Sequence, residues 1–325
     1  MCAAPAIQNS LNATLAAESR DAVCILLALH QGADYLQEQL DSYAHQTHKN
    51  WRLIASDDGS TDGTGFIFRR FIKSQPGKQI TLRKGPCAGF VRNFLSLLAI
   101  APESSDFFAF SDQDDVWFQN KLSRAVNRLA QISAQTPAIY FARTLICDAE
   151  KTPLGISPER KFPPGFRNAL VQSIGGGNTM VLNKAAAALA KTHLPEQDPV
   201  SHDWWLYQLV TGCGGLALFD PQPVLFYRQH MDNKIGSNIG LFAKITRLHL
   251  VFTGRYRAFN ESNIRALKTV YPALSSDARQ TLSAFCAARQ GPLLLRLRGL
   301  RASGVFRQNV SESLAMIAFC LLKRL

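Results

Sequence analysis

The sequence predicts an α/β protein with a mostly parallel central sheet, helices on both of its faces and a basic helical region at the C-terminal end. Three observations carry this reading. Short apolar runs of strand length alternate with stretches of helical spacing from Ala22 to Phe110. Two of those runs stop abruptly at acidic loops, residues 57–62 and 112–115, and in parallel sheets ligands gather at the carboxyl ends of strands. The charge is also lopsided: of a formal net charge of +12, residues 241–325 hold 14 Lys and Arg against three Asp and Glu, a net +11.

Residues 1–21 show no sustained pattern and read as a flexible leader. They have no charged segment followed by an apolar one, so no secretory signal is expected. Val23 to Leu29 is a continuous apolar run, the mark of a strand buried on both faces. A turn at His30-Gln31-Gly32 follows, then Leu36, Leu40 and Tyr43 at helical spacing. Trp51–Ala55 predicts the second strand, Phe66–Lys73 a helix, Ile80–Leu82 a short strand, Phe90–Ile100 a helix and Phe107–Phe110 an aromatic strand.

A helix is expected from Trp117 to about residue 134, a strand at Ala138–Ile146 and a Pro-rich loop over 147–164. Gly175, Gly176 and Gly177 come next, in a segment that either lets the backbone approach a ligand or simply turns. Met180–Leu182 predicts a strand, and an alanine-rich helix starts at Lys184. Ser201 suits an N-cap, with His202 and Asp203 in the first turn after it. Two short strands, Leu216–Phe219 and Val224–Tyr227, precede Tyr227-Arg228-Gln229-His230. The chain thus divides into an α/β domain over 22–240 and a helical region over 241–325. In that region Ile245, Leu248 and Val251 suit one apolar face, and Leu293 to Arg298 suits a basic amphipathic helix.

Composition narrows the class. With 46% hydrophobic and 18% charged residues the chain is a packed globule. Its seven cysteines are scattered without a CxxC pair, so neither a disulfide framework nor a zinc site is indicated and a cytoplasmic setting is the default. No apolar run approaches the roughly 20 residues that span a bilayer.

Asp112, Asp114 and Asp115 at the end of a buried strand repel one another and call for a cation. Asp112 and Asp114, two apart, can address one point as hard oxygen ligands for Mg²⁺ or Mn²⁺. The plainer alternative is that Ser111 or Asp115 caps the following helix. Asp203, likewise, is either a reactive carboxylate or a charge that favours a helix N-terminus.

Together the stretch ILLALHQGADYLQEQLDSYAHQTHKNWRLIASDDGSTDGT and the motifs FSDQDDVWFQNKL, SIGGGNTMVLN, HDWW and YRQH resemble the family 2 glycosyltransferases of the GT-A fold. Within that family they look like the bacterial rhamnosyltransferases that build O-antigen and related polysaccharides. The resemblance covers about residues 22–238. It implies an inverting, metal-dependent transfer from a dTDP- or UDP-linked sugar, with dTDP-rhamnose foremost, to a saccharide or lipid-linked saccharide. Asp57 or Asp58 would accept the imide N–H of the base, and Arg92 and Asn93 would meet ribose or diphosphate oxygens. Asp112 and Asp114 would form the DXD motif, Asp114 on the metal and Asp112 nearer the ribose. Gly176 and Asn178 belong with the nucleotide-sugar site, His230 with the metal or the diphosphate, and Asp203 is the base. The family's usual Glu-Asp pair is His-Asp here, which leaves His202 without an assigned role.

Two rival classes are weaker. A nucleotidyltransferase would carry a cationic, Gly-rich loop after the first strand, where this chain has Ala28 to Gly32. A nucleic-acid binder would rest on charge alone, since no recognition motif is present, and no nucleic acid partner is expected. The basic tail suits either a peripheral seat on an anionic membrane surface, on the cytoplasmic face of the inner membrane, or packing onto the catalytic domain.

Overall fold

A computed structural model describes residues 21–229 and 255–325. The alternation read from the sequence becomes one nine-stranded sheet. Its first half is parallel: β1 (Val23–Leu29), β2 (Trp51–Asp57), β3 (Ile80–Lys84) and β4 (Phe107–Ser111). The crossovers between them are α1 (Leu36–Ala44), α2 (Thr64–Ser74) and α3 (Phe90–Ile100). All four strands therefore end on the same edge, and their following loops share one crest.

The second half is mixed. After β5 (Val116–Trp117), α4 (Lys121–Leu129), β6 (Ala138–Cys147), β7 (Pro153–Ile156) and α5 (Phe166–Ala169), the chain reaches β8 (Val181–Asn183) from the glycine segment at the carboxyl end of β4. Phe110 N donates to Met180 O at 3.1 Å there, so β8 has to run back along β4, antiparallel to it. Then come α6 (Lys184–Thr192), α7 (His202–Gly212) and β9 (Leu216–Arg228), giving the order β3-β2-β1-β4-β8-β6-β9-β5 with β7 beside β6.

Three expectations change in detail. The helix expected from Trp117 starts at Lys121, because Val116 and Trp117 are drawn into pairing with Phe226 and Leu225 of β9. The two short strands around Asp220-Pro221-Gln222-Pro223 are one long strand. Its pairing with β6 shifts register at Ala142–Leu145, the kind of irregularity at which a strand tolerates proline. The Pro-rich loop contains β7. The leader, the apolar face at Ile245, Leu248 and Val251 and the boundary near residue 240 fall outside the described residues.

Each face of the sheet carries its own core. Val23, Ile25 and Leu27 pack with α1, α2 and α4 through Leu40, Phe68 and Leu122. Leu26, Phe108 and Phe110 pack with α3 and α7 through Phe94, Leu98 and Trp205. Every residue of α7 is buried, so this helix is core all round, and its first turn is fixed by packing.

Helices α8 (Arg255–Thr269), α9 (Ser276–Gln290), α10 (Leu293–Ser303) and α11 (Val310–Leu321) close the chain. Ile264, Leu267 and Phe285 of α8 and α9 belong to the same cluster as Trp205, so these helices complete the core on that face of the sheet. At Gly299, α10 crosses α9 so closely that a Cβ would lie 2.7 Å from both Ala284 O and Ala288 N. Gly299→Val should force the two backbones apart and cost roughly 1–3 kcal/mol, the scale of overpacking. Urea unfolding followed by circular dichroism reads this as a lower midpoint, and an unchanged midpoint would contradict the close crossing.

Candidate active site

The crest of loops is tied together by side chains. After β1, Gly32 N donates to Thr64 Oγ1 at 2.8 Å, and Ala33 N to Asp62 Oδ2 at 2.9 Å. His30 exchanges two bonds with Gln113: its N–H donates to Oε1 and its carbonyl accepts from Nε2, both at 2.8 Å. The Asp58 carboxylate receives Cys87 N at 2.6 Å and Gly89 N at 3.0 Å, joining the loops after β2 and β3. Asp57, the last residue of β2, accepts from Ser60 N at 2.8 Å. Asp58 therefore clasps the neighbouring loop, while Asp57 shapes its own.

The acidic end of β4 divides its charges. Asp112 and Asp114 keep a partial opening to solvent, whereas Asp115 is buried and turned inward. Asn178 Nδ2 donates to Asp115 Oδ2 at 2.7 Å, and Lys121 Nζ donates to Asn178 O. Lys121 is fully buried, its ammonium 3.2 Å from the centre of the Trp117 ring, a cation–π contact. Burial pushes the Asp115 carboxyl well above the usual range, and nearby Asp114 and Asp112 add to this, while Asn178 and Lys121 oppose it. Burial drives the Lys121 amine well below its usual value, against the pull of Asp115 and Asp112. The three carboxylates expected to share a cation are thus two plus one. The third is served from within the protein.

Asp112 links this cluster to α7. Crowding by protein raises its pKa to about 7, and the charges of Asp114 and then Asp203 add to the rise. Asp203, 7% exposed, faces the same cluster from the first turn of α7, where its Oδ1 accepts from Trp204 N at 2.7 Å. Ser201 occupies the N-cap position but makes no side-chain cap bond.

His202 stacks on Phe94 at 4.0 Å and on Phe110 at 5.4 Å between ring centres, and neither ring nitrogen has a hydrogen-bond partner. Burial lowers its pKa to about 4 against the charge of Asp203. A Cβ on Gly177 would lie 2.4 Å from its Nε2, so the third glycine of the triplet is what admits the ring.

Residues 24–175 match the family model for glycosyl transferase family 2. The chain carries a family 2 glycosyltransferase domain. It is 29% identical over 238 residues to the dTDP-rhamnosyl transferase RfbG of Shigella flexneri, covering 71% of this chain and 81% of that protein. Over 163 residues it is 25% identical to the putative teichuronic acid biosynthesis glycosyltransferase TuaG of Bacillus subtilis, covering 50% of this chain and 62% of TuaG. Its fold is similar to that of S. aureus TarS in complex with UDP-GlcNAc (TM-score 0.53, 14% identity, 91% of this chain and 92% of that one). It is also similar to the mannosyltransferase PcManGT of Pyrobaculum calidifontis in complex with GDP-Man and Mn²⁺ (TM-score 0.50, 19% identity, 93% and 85%). The GT-A architecture of this glycosyltransferase accords with the α/β reading of its sequence.

Several residues expected to face the nucleotide are engaged elsewhere in the glycosyltransferase domain. Arg92 donates to Pro195 O at 3.2 Å and Glu196 O at 2.6 Å and pairs with Asp198, so it clamps the loop that leads into α7. Asn93 is buried and gives its amide to Ser56 O at 3.0 Å, holding α3 to the end of β2. Asn178 serves Asp115, and Gly176 sits beside the Asn178 side chain. His230 lies outside the described residues. The sequence reading gave no role to Lys121 or Arg228, and it read Gly177 only as part of a triplet that turns or approaches a ligand, not as the seat of the His202 ring. Arg228 is buried and donates to Asp114 O at 3.2 Å, to Glu38 Oε2 at 3.1 Å and to Ala149 O. The signal for Lys121 and Arg228 was their place as cations within motifs otherwise read for their acids and histidine, and the signal for Gly177 was the triplet itself.

Among the described residues no three His, Cys, Asp or Glu side chains form a ready-made metal cage. What Asp112 and Asp114 offer is a two-carboxylate set, partly open to solvent. That fits a divalent ion completing its coordination with phosphate oxygens and water.

His202 supplies a test of the buried geometry. Its folded pKa of about 4 lies below the ordinary 6.5. Below pH 6.5 the unfolded chain therefore takes up a proton that the folded one refuses, and stability falls as pH drops toward 4. Between pH 7 and pH 5 the wild type should lose about 2 kcal/mol more than His202→Phe. Urea titrations at the two pH values read the difference, and parallel losses would refute a buried neutral imidazole.

Proposed function

We propose that the chain is an inverting hexosyltransferase of cell-surface polysaccharide synthesis. In this reading rhamnose moves from dTDP-rhamnose to a saccharide acceptor, with Mg²⁺ or Mn²⁺ held by Asp112 and Asp114. What supports it is the placement of Asp112 and Asp114 just past the carboxyl end of β4 and of Asp203 in the first turn of α7, near enough that its charge acts on Asp112. Sequence similarity to a dTDP-rhamnosyl transferase supports the donor, and similarity to a teichuronic acid glycosyltransferase supports the polysaccharide setting. The loop after β1 favours this over nucleotidyl transfer. It offers a triphosphate no cation, and its Gly32 and Ala33 N–H groups are already donated to Thr64 and Asp62.

When bound, a divalent cation neutralises the charge that develops on the nucleoside diphosphate leaving group. Asp112 and Asp114 supply its carboxylate ligands, and Arg228 steadies the Asp114 backbone from below. Asp57 or Asp58 accepts from the base at the far end of the same crest. Asp203 has Oδ1 fixed by the Trp204 N–H, which leaves Oδ2 to take the acceptor hydroxyl's proton. The acceptor oxygen bonds to the anomeric carbon as the bond to the diphosphate breaks on the opposite face. The proton ends on Asp203, and one displacement inverts the centre.

Incubating the protein with a panel of nucleotide sugars and saccharide acceptors, with and without EDTA, tests the class of reaction. Metal-dependent release of dTDP from dTDP-rhamnose is the expected result, and no release from any nucleotide sugar would overturn it. Asp203→Asn keeps size and the bond to Trp204 N but cannot take a proton. Its kcat should fall by about 10²-fold to 10⁴-fold with donor affinity little changed. Normal turnover, or collapse of donor binding with residual turnover intact, would remove Asp203 from the role of base.

A further inference from the structure

The last two helices are built with their apolar sides outward. On α10 the buried positions are Arg296, Gly299 and Ser303, while Leu293, Leu294, Leu295 and Leu297 are exposed, Leu294 by 64%. On α11 the buried positions are Met316 and Cys320. Leu314, 62% exposed, Ile317 and Leu321 line the opposite stripe at helical spacing. Nine of the eighteen exposed large apolar residues among those described fall within residues 293–322, a concentration on two consecutive helices and the residue after them.

The inversion has a physical cause. Gly299 is the close-approach point to α9, where no side chain fits, and Arg296 Nη1 reaches inward to Cys320 O at 2.9 Å and Leu321 O at 2.8 Å. Turning α10 to bury its leucines would withdraw that guanidinium and lose the glycine crossing. The fold therefore fixes the leucines outward.

Cations accompany them. Arg298, Arg301, Lys323 and Arg324 are exposed, and the one acid between 293 and 325, Glu312, is paired with Arg307 at 2.9 Å. A symmetric contact between two copies would set this patch against itself and bring like charges together. No helix among the described residues is long and apolar enough to cross a membrane. Exposed leucines flanked by exposed cations complement an anionic lipid surface, where side chains enter the acyl boundary and cations meet lipid phosphates.

We propose that the α10–α11 face is a docking surface for anionic lipid, seated by Leu294, Leu297 and Leu314 and steered by Arg298, Arg301 and Lys323. None of these residues is among those that tie the loop crest together, and the proposal does not depend on which sugar is transferred.

The test is flotation of the full chain with phosphatidylcholine vesicles, with and without phosphatidylglycerol. The wild type should float with the anionic vesicles at low salt and be released as salt rises. A triple variant, Leu294→Ser, Leu297→Ser and Leu314→Ser, should lose more than about tenfold in apparent affinity. Replacing Arg298, Arg301 and Lys323 by Gln should cost about fivefold per cation at low salt and flatten the salt response. Failure of the wild type to float, or flotation of both variants like the wild type, overturns the proposal. So does a wild-type dimer, seen by light scattering, that the leucine variant dissociates without any lipid binding. Flotation reads binding without turnover, so its failure leaves the transfer reaction standing. Activity of both variants on a soluble acceptor should be unchanged.

Discussion

A lysine with no exposed surface lies beneath the acidic end of β4, and much of the site's geometry follows from accommodating it. Lys121 reaches the backbone carbonyl of Asn178, whose side chain in turn holds Asp115. This short chain of contacts fastens the glycine segment to the end of β4. One residue earlier in that segment, Gly177 makes room for His202, so the same fastening fixes the first turn of α7 and with it Asp203. Removing one partner from such a buried polar set leaves the others without compensation, which is why sets of this kind hold elements in one arrangement.

The result is a division of labour between carboxylates one to three residues apart in sequence. Asp115 belongs to the interior. Asp112 and Asp114 remain at the strand end, where burial first, and then the charges of Asp114 and Asp203, raise the pKa of Asp112. Neutral His202 matters here too. The glutamate usual in the family would add another carboxylate to a cluster already crowded with them, whereas an imidazole stacked on Phe94 and Phe110 adds none.

Much of the framework was legible because it rests on local patterns. Val23–Leu29 and Phe90–Ile100 stand where periodicity placed them, since continuous apolar runs between turn residues have few other uses in a parallel sheet. Trp117 was misplaced because its fate depends on β9, more than 100 residues away. The candidate site was legible as a set of acids and opaque in its supports. Strand-end logic placed Asp112 beside the crest of loops, and Asp203 lies near enough that its charge acts on Asp112. No local pattern shows that Arg92 turns to the 195–198 loop, that Asn178 serves Asp115, or that Lys121 is buried. The tail was legible in composition only. Its basic, leucine-rich helix was plain, but its outward leucines follow from Gly299 and Arg296 meeting partners on α9 and α11.

The central claim is that Asp112 and Asp114 form a metal-dependent seat for a nucleoside diphosphate. Calorimetric titration of dTDP and UDP into the protein, with and without Mn²⁺, tests it most directly when repeated on Asp114→Asn. The account predicts binding that needs the metal and weakens by about tenfold or more in the variant, the scale of one lost charged contact. Equal affinity with and without metal, undiminished in Asp114→Asn, would contradict it.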